Sequence, residues 1–147
     1  MIAVCASLAV AGCGESDSAT GSASSEGKEV LGPKPKIPTG PHTNKLIVKD
    51  LKKGTGPVVH RGDSVEVHYV GGNYETGDEF ESAWHPNHPL GLLLTPAGVL
   101  PGWVHGMPGM RVGGRRELIF PATKGHAPLE MQPGETIVYV VDLVGIE

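Results

Sequence analysis

Glycine or proline interrupts this chain every few residues, and a long helix does not survive that spacing. The 147 residues include 22 Gly and 13 Pro. Between these breakers stand short runs in which apolar and polar side chains alternate, the period-2 pattern of a strand with one buried face. In residues 64–69, Val65, Val67 and Tyr69 share one face while Glu66 and His68 take the other. Residues 116–120 form a second such run. In residues 136–143, Ile137, Tyr139, Val141 and Leu143 point one way, although Val138 and Val140 make the other face apolar too. A shorter first strand is expected over residues 46–51. Turn chemistry separates the runs at Arg61-Gly62-Asp63, Gly71-Gly72-Asn73, Val112-Gly113-Gly114 and Gln132-Pro133-Gly134. Only residues 101–107 suit a helix, with Pro101 at a first helical position and Pro108 just past the end. The pattern predicts an α+β fold, an antiparallel sheet with one short helix.

That domain is expected to occupy residues 44–147, and what precedes it differs in kind. Residues 1–12 (MIAVCASLAVAG) carry no charge and resemble the apolar stretch and cleavage end of an export signal. Val10-Ala11-Gly12-Cys13 resembles the lipobox of bacterial lipoproteins. That resemblance implies cleavage before Cys13, lipid on Cys13 and anchoring at the outer face of the bacterial cytoplasmic membrane. The first base is Lys28, so the signal lacks its usual positive start and reads as truncated. Residues 13–43 read as a disordered linker, Ser/Gly/Ala-rich at first and then stiffened by the four prolines of GPKPKIPTGP. As a coil such a linker spans roughly 30 Å.

Charge and cysteine content exclude several classes of function. The 12 Lys and Arg stand against 16 Asp and Glu, a net charge of -4, which argues against a nucleic-acid binder recognised by charge. No apolar run reaches the 18 or more residues of a membrane-spanning helix. The two cysteines, Cys5 and Cys13, both precede the domain, so a disulfide scaffold, a cysteine zinc site and a thiol nucleophile are excluded from it. Ser64 and Ser82 lack a nucleophile-elbow context, and no glycine loop suggests a phosphate site. His85 and His88 each precede a proline, which favours a loop over a metal-binding helix, so no metal is expected. His68 reads as a solvated or hydrogen-bonded strand residue, and Lys45, Lys49, Lys52 and Lys53 as a solvated face.

Five segments in register carry more information than any of these. They are residues 62–71 (GDSVEVHYVG), 77–82 (GDEFES), 99–103 (VLPGW), 106–116 (GMPGMRVGGRR) and 136–143 (TIVYVVDL). Together they resemble an FKBP-type peptidyl-prolyl cis-trans isomerase domain. The resemblance implies a curved antiparallel sheet wrapped around one short helix, with bound proline resting on the indole of Trp103. It also implies a pocket lined by Tyr69, Phe80, Glu81, Leu90, Val99, Leu100, Trp103 and Tyr139, with the Leu100 backbone amide as a donor to the peptide. Lys124, His126 and Met131 would be loop contacts.

The chain departs from the family pattern in three places that bear on activity. Glu81 stands where Asp is usual, Leu90 where an aromatic is usual, and Lys124-Gly125 where a Tyr-Gly pair supplies a hydroxyl donor. The expected function is isomerisation of Xaa-Pro bonds in exported proteins, weakened by these departures. A non-catalytic polypeptide-binding or chaperone domain on the same fold is the alternative. The implied partners are proline-containing polypeptides and macrolide inhibitors. The chain is expected to be a monomer that needs no cofactor.

Overall fold

The computed structural model describes residues 32–85, 87–122 and 132–147. The strongest alternating runs form the middle of the sheet, where both faces are covered. In chain order the elements are β1 (Ile47–Lys52), β2 (Ser64–Asn73), β3 (Glu79–Ala83), β4 (Leu90–Leu93), α1 (Pro101–Gly106), β5 (Arg115–Pro121) and β6 (Thr136–Ile146). All six strands join one antiparallel sheet in the order β1-β5-β6-β2-β3. β4 shares the edge of β2 with β3: Ser64 to Val67 pair with β4, and Tyr69 to Gly72 pair with β3. Register shifts interrupt the ladders of β2 with β3, β2 with β6 and β1 with β5. Each bulge bends its strand and adds twist, so the sheet closes partly around α1.

The helix-facing side of the sheet holds the main core. Val65, Val67, Leu118, Phe120, Ile137, Tyr139, Val141 and Leu143 pack there with Trp103 and Met107 of the helical segment. α1 starts as expected at Pro101, whose missing N–H would have had no partner in the first turn anyway. Its C-terminal end is held from below by Arg116, a buried side chain on β5. Arg116 Nη1 donates to the carbonyl of Gly106 at 2.8 Å and of Met107 at 3.3 Å, while Nε donates to Asp50 at 2.6 Å.

The outer face is apolar as well, because Ile119 and Val138 point there, and it too needs a cover. Residues 32–43, expected to be linker, supply it. Ile37 packs into a second cluster with Tyr74, Ile119, Val138 and Ile47. Polar contacts fix the rest of this strap. The Trp84 indole N–H donates to the Gly32 carbonyl at 3.3 Å, and Lys34 Nζ to Glu79 at 2.6 Å and Ser82 at 3.2 Å. The Gly40 N–H donates to the Tyr74 carbonyl at 2.9 Å, and the Thr43 N–H to Thr136 Oγ1 at 3.1 Å. A single isoleucine among prolines therefore docks a segment whose composition alone reads as unstructured. Residues 13–31, with Cys13, lie outside the described residues.

The same cover overturns the solvated reading of His68. Its side chain does sit on the outer face, but it is 4% exposed beneath Trp84, with ring centroids 5.8 Å apart. Its Nδ1 has no hydrogen-bond partner among the described residues. Trp84 is itself capped by the Arg115 guanidinium, 5.2 Å from the indole centroid, and Arg115 holds Asp142 through two bonds of 2.6 and 2.8 Å. Alternation identified the face correctly; what it missed is that this face is not wet. The lysines of β1 do face solvent, Lys49 lying 3.8 Å from Glu117, and they guard an edge strand against pairing with another chain.

Candidate functional site

Tyr139 is the centre of the candidate site. It stands on β6 directly across from Gly71 of β2 and is 2% exposed. The glycine makes room: a Cβ at position 71 would lie 2.5 Å from Tyr139 Cε1. Four other aromatic rings surround Tyr139. Trp103 meets it at 5.2 Å, Tyr69 at 5.7 Å and Phe80 at 5.9 Å, all edge-on, and Phe120 stacks on it at 6.0 Å. Tyr69 and Trp103 also meet edge-on at 5.2 Å. Such edge-to-face pairs are favoured by the ring quadrupole and tie the rings into one apolar cluster.

Local sequence explains how each wall arrives. Pro101 begins α1 so that Trp103 projects from its first turn, and Gly102 lets the helix lie flat against the Phe120 ring, with no space for a Cβ. On β3, Gly71 pairs with Glu81 and Gly72 with Glu79, which leaves Phe80 as the extra residue of a bulge. A bulge re-aims side chains locally. Here Phe80 and Glu81 both reach Tyr139, which strict alternation would forbid.

Glu81, which stands where the family usually has Asp, reaches the aromatic cluster. Its Oε1 accepts from the Tyr139 hydroxyl at 2.5 Å, a short charge-assisted bond. Burial first, and then Glu81, hold the Tyr139 hydroxyl far above the usual tyrosine pKa; the Tyr69 hydroxyl is raised by the same two causes in the same order. Both tyrosines therefore stay protonated at neutral pH.

Val99 and Leu100 are half-buried against this cluster, as Tyr69 and Phe80 are. The Leu100 carbonyl accepts from the N–H groups of Trp103 and Val104, while its own N–H has no bond among the described residues. Leu90 is not brought in. It pairs with Val67 and shares its face, but it is 40% exposed and stands apart from the aromatic cluster. Lys124, His126 and Met131 lie outside the described residues. Sequence reasoning missed Phe120, Gly71 and Gly102; the alternation of residues 116–120 was the available signal for Phe120.

The cluster thus gathers the buried indole of Trp103 and four further rings, with the Glu81 carboxylate on the Tyr139 hydroxyl and Leu100 packed alongside. No side chain in it is a poised nucleophile. Residues 56–144 match the family model for FKBP-type peptidyl-prolyl cis-trans isomerase. The chain belongs to that family. It is 42% identical over 119 residues to an FK506-binding protein of Streptomyces anulatus, covering 78% of this chain and 96% of that one. It is 36% identical over 91 residues to the peptidyl-prolyl cis-trans isomerase FKBP2 of Mus musculus, covering 59% of this chain and 64% of that one. Among solved structures, FkpA of Escherichia coli superposes with a TM-score of 0.60 at 27% identity, over 72% of this chain and 51% of FkpA. This FKBP-family chain therefore spans about half of FkpA and nearly all of the Streptomyces protein.

Proposed function

We propose that this FKBP-family chain is a peptidyl-prolyl cis-trans isomerase acting on Xaa-Pro bonds of exported polypeptides. The observation that carries the reading is Trp103, 3% exposed in one aromatic cluster with Tyr69, Phe80 and Tyr139. Rotation about the amide must break resonance, at a barrier of about 18–20 kcal/mol, while the two Xaa-Pro isomers differ by only about 0.5–1 kcal/mol. Catalysis here needs no covalent step. The twisted transition state has lost resonance and carries less charge separation than the planar amide, so an apolar, water-poor basin favours it. Proline seated on the indole gives one fixed end of the rotating bond, and the Leu100 N–H is placed to hold a peptide carbonyl. Macrolides of the kind that name the Streptomyces relative would occupy the same basin. Lipid on Cys13 would keep the domain at the outer face of the cytoplasmic membrane.

The exposure of Leu90 favours one second reading, because a position where the family usually has an aromatic adds no wall to the cluster. A pocket short of one wall suits a polypeptide-binding domain that holds proline segments without turning them. An exchange assay on short Xaa-Pro peptides separates the two. The chain should accelerate isomerisation, and Trp103→Leu should lower kcat/KM by about tenfold or more, a loss of about 1.4 kcal/mol in transition-state binding. A chain that leaves the rate unchanged yet suppresses aggregation of an unfolded protein belongs to the second reading. For the anchor, Cys13→Ser should move the protein from membrane to soluble fractions; an unchanged membrane fraction refutes lipidation.

A further inference from the structure

Where β1 ends, the surface opens into a cleft of about 310 Å³, at the small end of ligand-sized pockets. Its charged lining comes from three segments distant in sequence. Asp50, Lys52 and Lys53 belong to the end of β1 and the turn after it, Arg111 to the loop before β5, and Arg116 to β5 itself. Met110 is the one large apolar side chain among the described lining residues. Four cations therefore stand against one carboxylate, on a chain whose net charge is -4. A concavity lined by one sign of charge focuses the field and draws counter-ions, which lysines scattered over a convex face do not.

The backbone fixes this geometry. Leu51 is the extra residue of a bulge, between Asp50 paired with Arg116 and Lys52 paired with Arg115. The chain then leaves the sheet and passes so close to residues 111–114 that a Cβ at position 54 would run into the carbonyl oxygens of Val112 and Arg111. Residues 56–59 hold 109–112 in a short ladder. The Gly56 N–H donates to the Val112 carbonyl at 3.0 Å, the Val59 N–H to Met110 at 2.8 Å and the Gly109 N–H to Val59 at 2.9 Å. Arg111 is oriented as well, since its Nη1 donates to the Gly56 carbonyl at 3.1 Å and so sets the plane of a fork with five N–H donors. Arg116 is 9% exposed and paired with Asp50 at 2.6 Å, so the buried charge is satisfied within the fold. The charge offered to a ligand comes chiefly from the exposed Lys53 and Arg111.

These two residue types select a ligand class. Lysine supplies a compact point charge and arginine a planar fork, and both suit phosphoryl oxygens. Several cations around one small space favour an oxygen-rich, multiply charged anion over a single carboxylate. We propose that the cleft between the end of β1 and residues 109–111 binds a phosphoryl group, held by Lys53 and Arg111 and carried by a free phosphorylated solute or by the headgroup of an anionic lipid. The site shares no lining residue with the rings around Tyr139, so it stands whether or not the chain turns Xaa-Pro bonds.

The test titrates the full chain carrying Cys13→Ser, at low ionic strength, where exposed charges are least screened. Inorganic pyrophosphate, followed by calorimetry, probes for a free solute. Equimolar phosphatidylcholine–phosphatidylglycerol vesicles, sedimented against phosphatidylcholine alone, probe for a headgroup. Lys53→Gln with Arg111→Gln removes two charges from the cleft, and Lys45→Gln with Lys49→Gln removes two beside it. Lys53→Gln alone changes only an exposed side chain and reports even if the cleft pair fails to fold. At least one probe should bind, with Kd raised about tenfold in the cleft pair, about threefold in Lys53→Gln and less than about twofold in the control pair, steps of the size of exposed charge pairs. Pyrophosphate bound in this pattern without vesicles identifies a free solute, and vesicle binding that pyrophosphate displaces identifies a headgroup. Binding of neither probe, or binding that falls equally in both pairs or in neither, overturns the proposal.

Discussion

Gly71→Ala puts the packing of the site under a direct test. Gly71 has no positive φ, so alanine fits the backbone and gains up to about 1 kcal/mol by restricting the unfolded chain. The side chain is the difficulty. Its methyl would sit 2.5 Å from Tyr139 Cε1, 2.9 Å from Cδ1 and 3.2 Å from Cζ, against a preferred carbon separation of about 3.5–4.0 Å. The ring would have to retreat by about 1 Å, into Phe120 on one side or Trp103 on another, and its 2.5 Å bond to Glu81 would stretch. Overpacking of this kind costs about 1–3 kcal/mol, and the strained bond adds about 1 kcal/mol, kept at the low end because Glu81 is exposed to water. Less the backbone gain, the expected loss is about 2 kcal/mol. With a urea slope of about 2 kcal/mol per molar, the unfolding midpoint should fall by about 1 M at unchanged slope. The clash is with the ring, so the loss should drop below about 1 kcal/mol when Tyr139 is first replaced by Leu. An unmoved midpoint, or the same loss with and without the ring, refutes the account.

Three further outcomes follow from the geometry. Arg116→Met should destabilise by about 3 kcal/mol, at the low end for a broken buried ion pair because Asp50 retains water, with changed Trp103 fluorescence as the end of α1 loses its support. Stability should hold up to about pH 10 and fall above it, because the folded-state pKa values of Tyr139 and Tyr69 are raised and the unfolded chain loses those protons first. Denaturant melts between pH 9 and 11.5 should show this fall, and Tyr139→Phe should make it shallower. Ile37→Ala should cost about 1–2 kcal/mol, below the range for a fully buried isoleucine, and should open residues 32–43 to proteases while the rest stays intact.

The parts of the fold legible in the sequence are those governed by one local rule. β2 and β5 alternate apolar and polar side chains, β6 is apolar on both faces, and all three lie at the middle of the sheet, where both faces are covered. α1 is announced by Pro101 and observed over Pro101–Gly106 against an expected 101–107. β3 and β4 carry weak signals, since they are short, half-exposed and share one edge of β2. The bulge at Phe80 then breaks the parity that would have located Glu81. Trp103, Tyr69, Phe80 and Tyr139 were legible only as members of a family motif, because alternation cannot distinguish a pocket wall from core packing. The docking of residues 32–43 was not legible at all. It depends on Val138 and Ile119 facing outward, a property of the folded sheet, and the strap itself offers little more than Ile37.

That strap also has a mechanical meaning. It is held by a row of separate fastenings, Trp84 on Gly32, Lys34 on β3, Ile37 on the outer face, Gly40 on Tyr74 and Thr43 on Thr136. A pull on the chain before Gly32 meets these one at a time, as in peeling, and each gives way more easily than strands sheared together. Freed from end to end, the segment of about a dozen residues can lengthen to roughly 40 Å. Such a load would reach β1 only after that slack is spent, so the aromatic cluster on the opposite face would keep its shape while the strap extends.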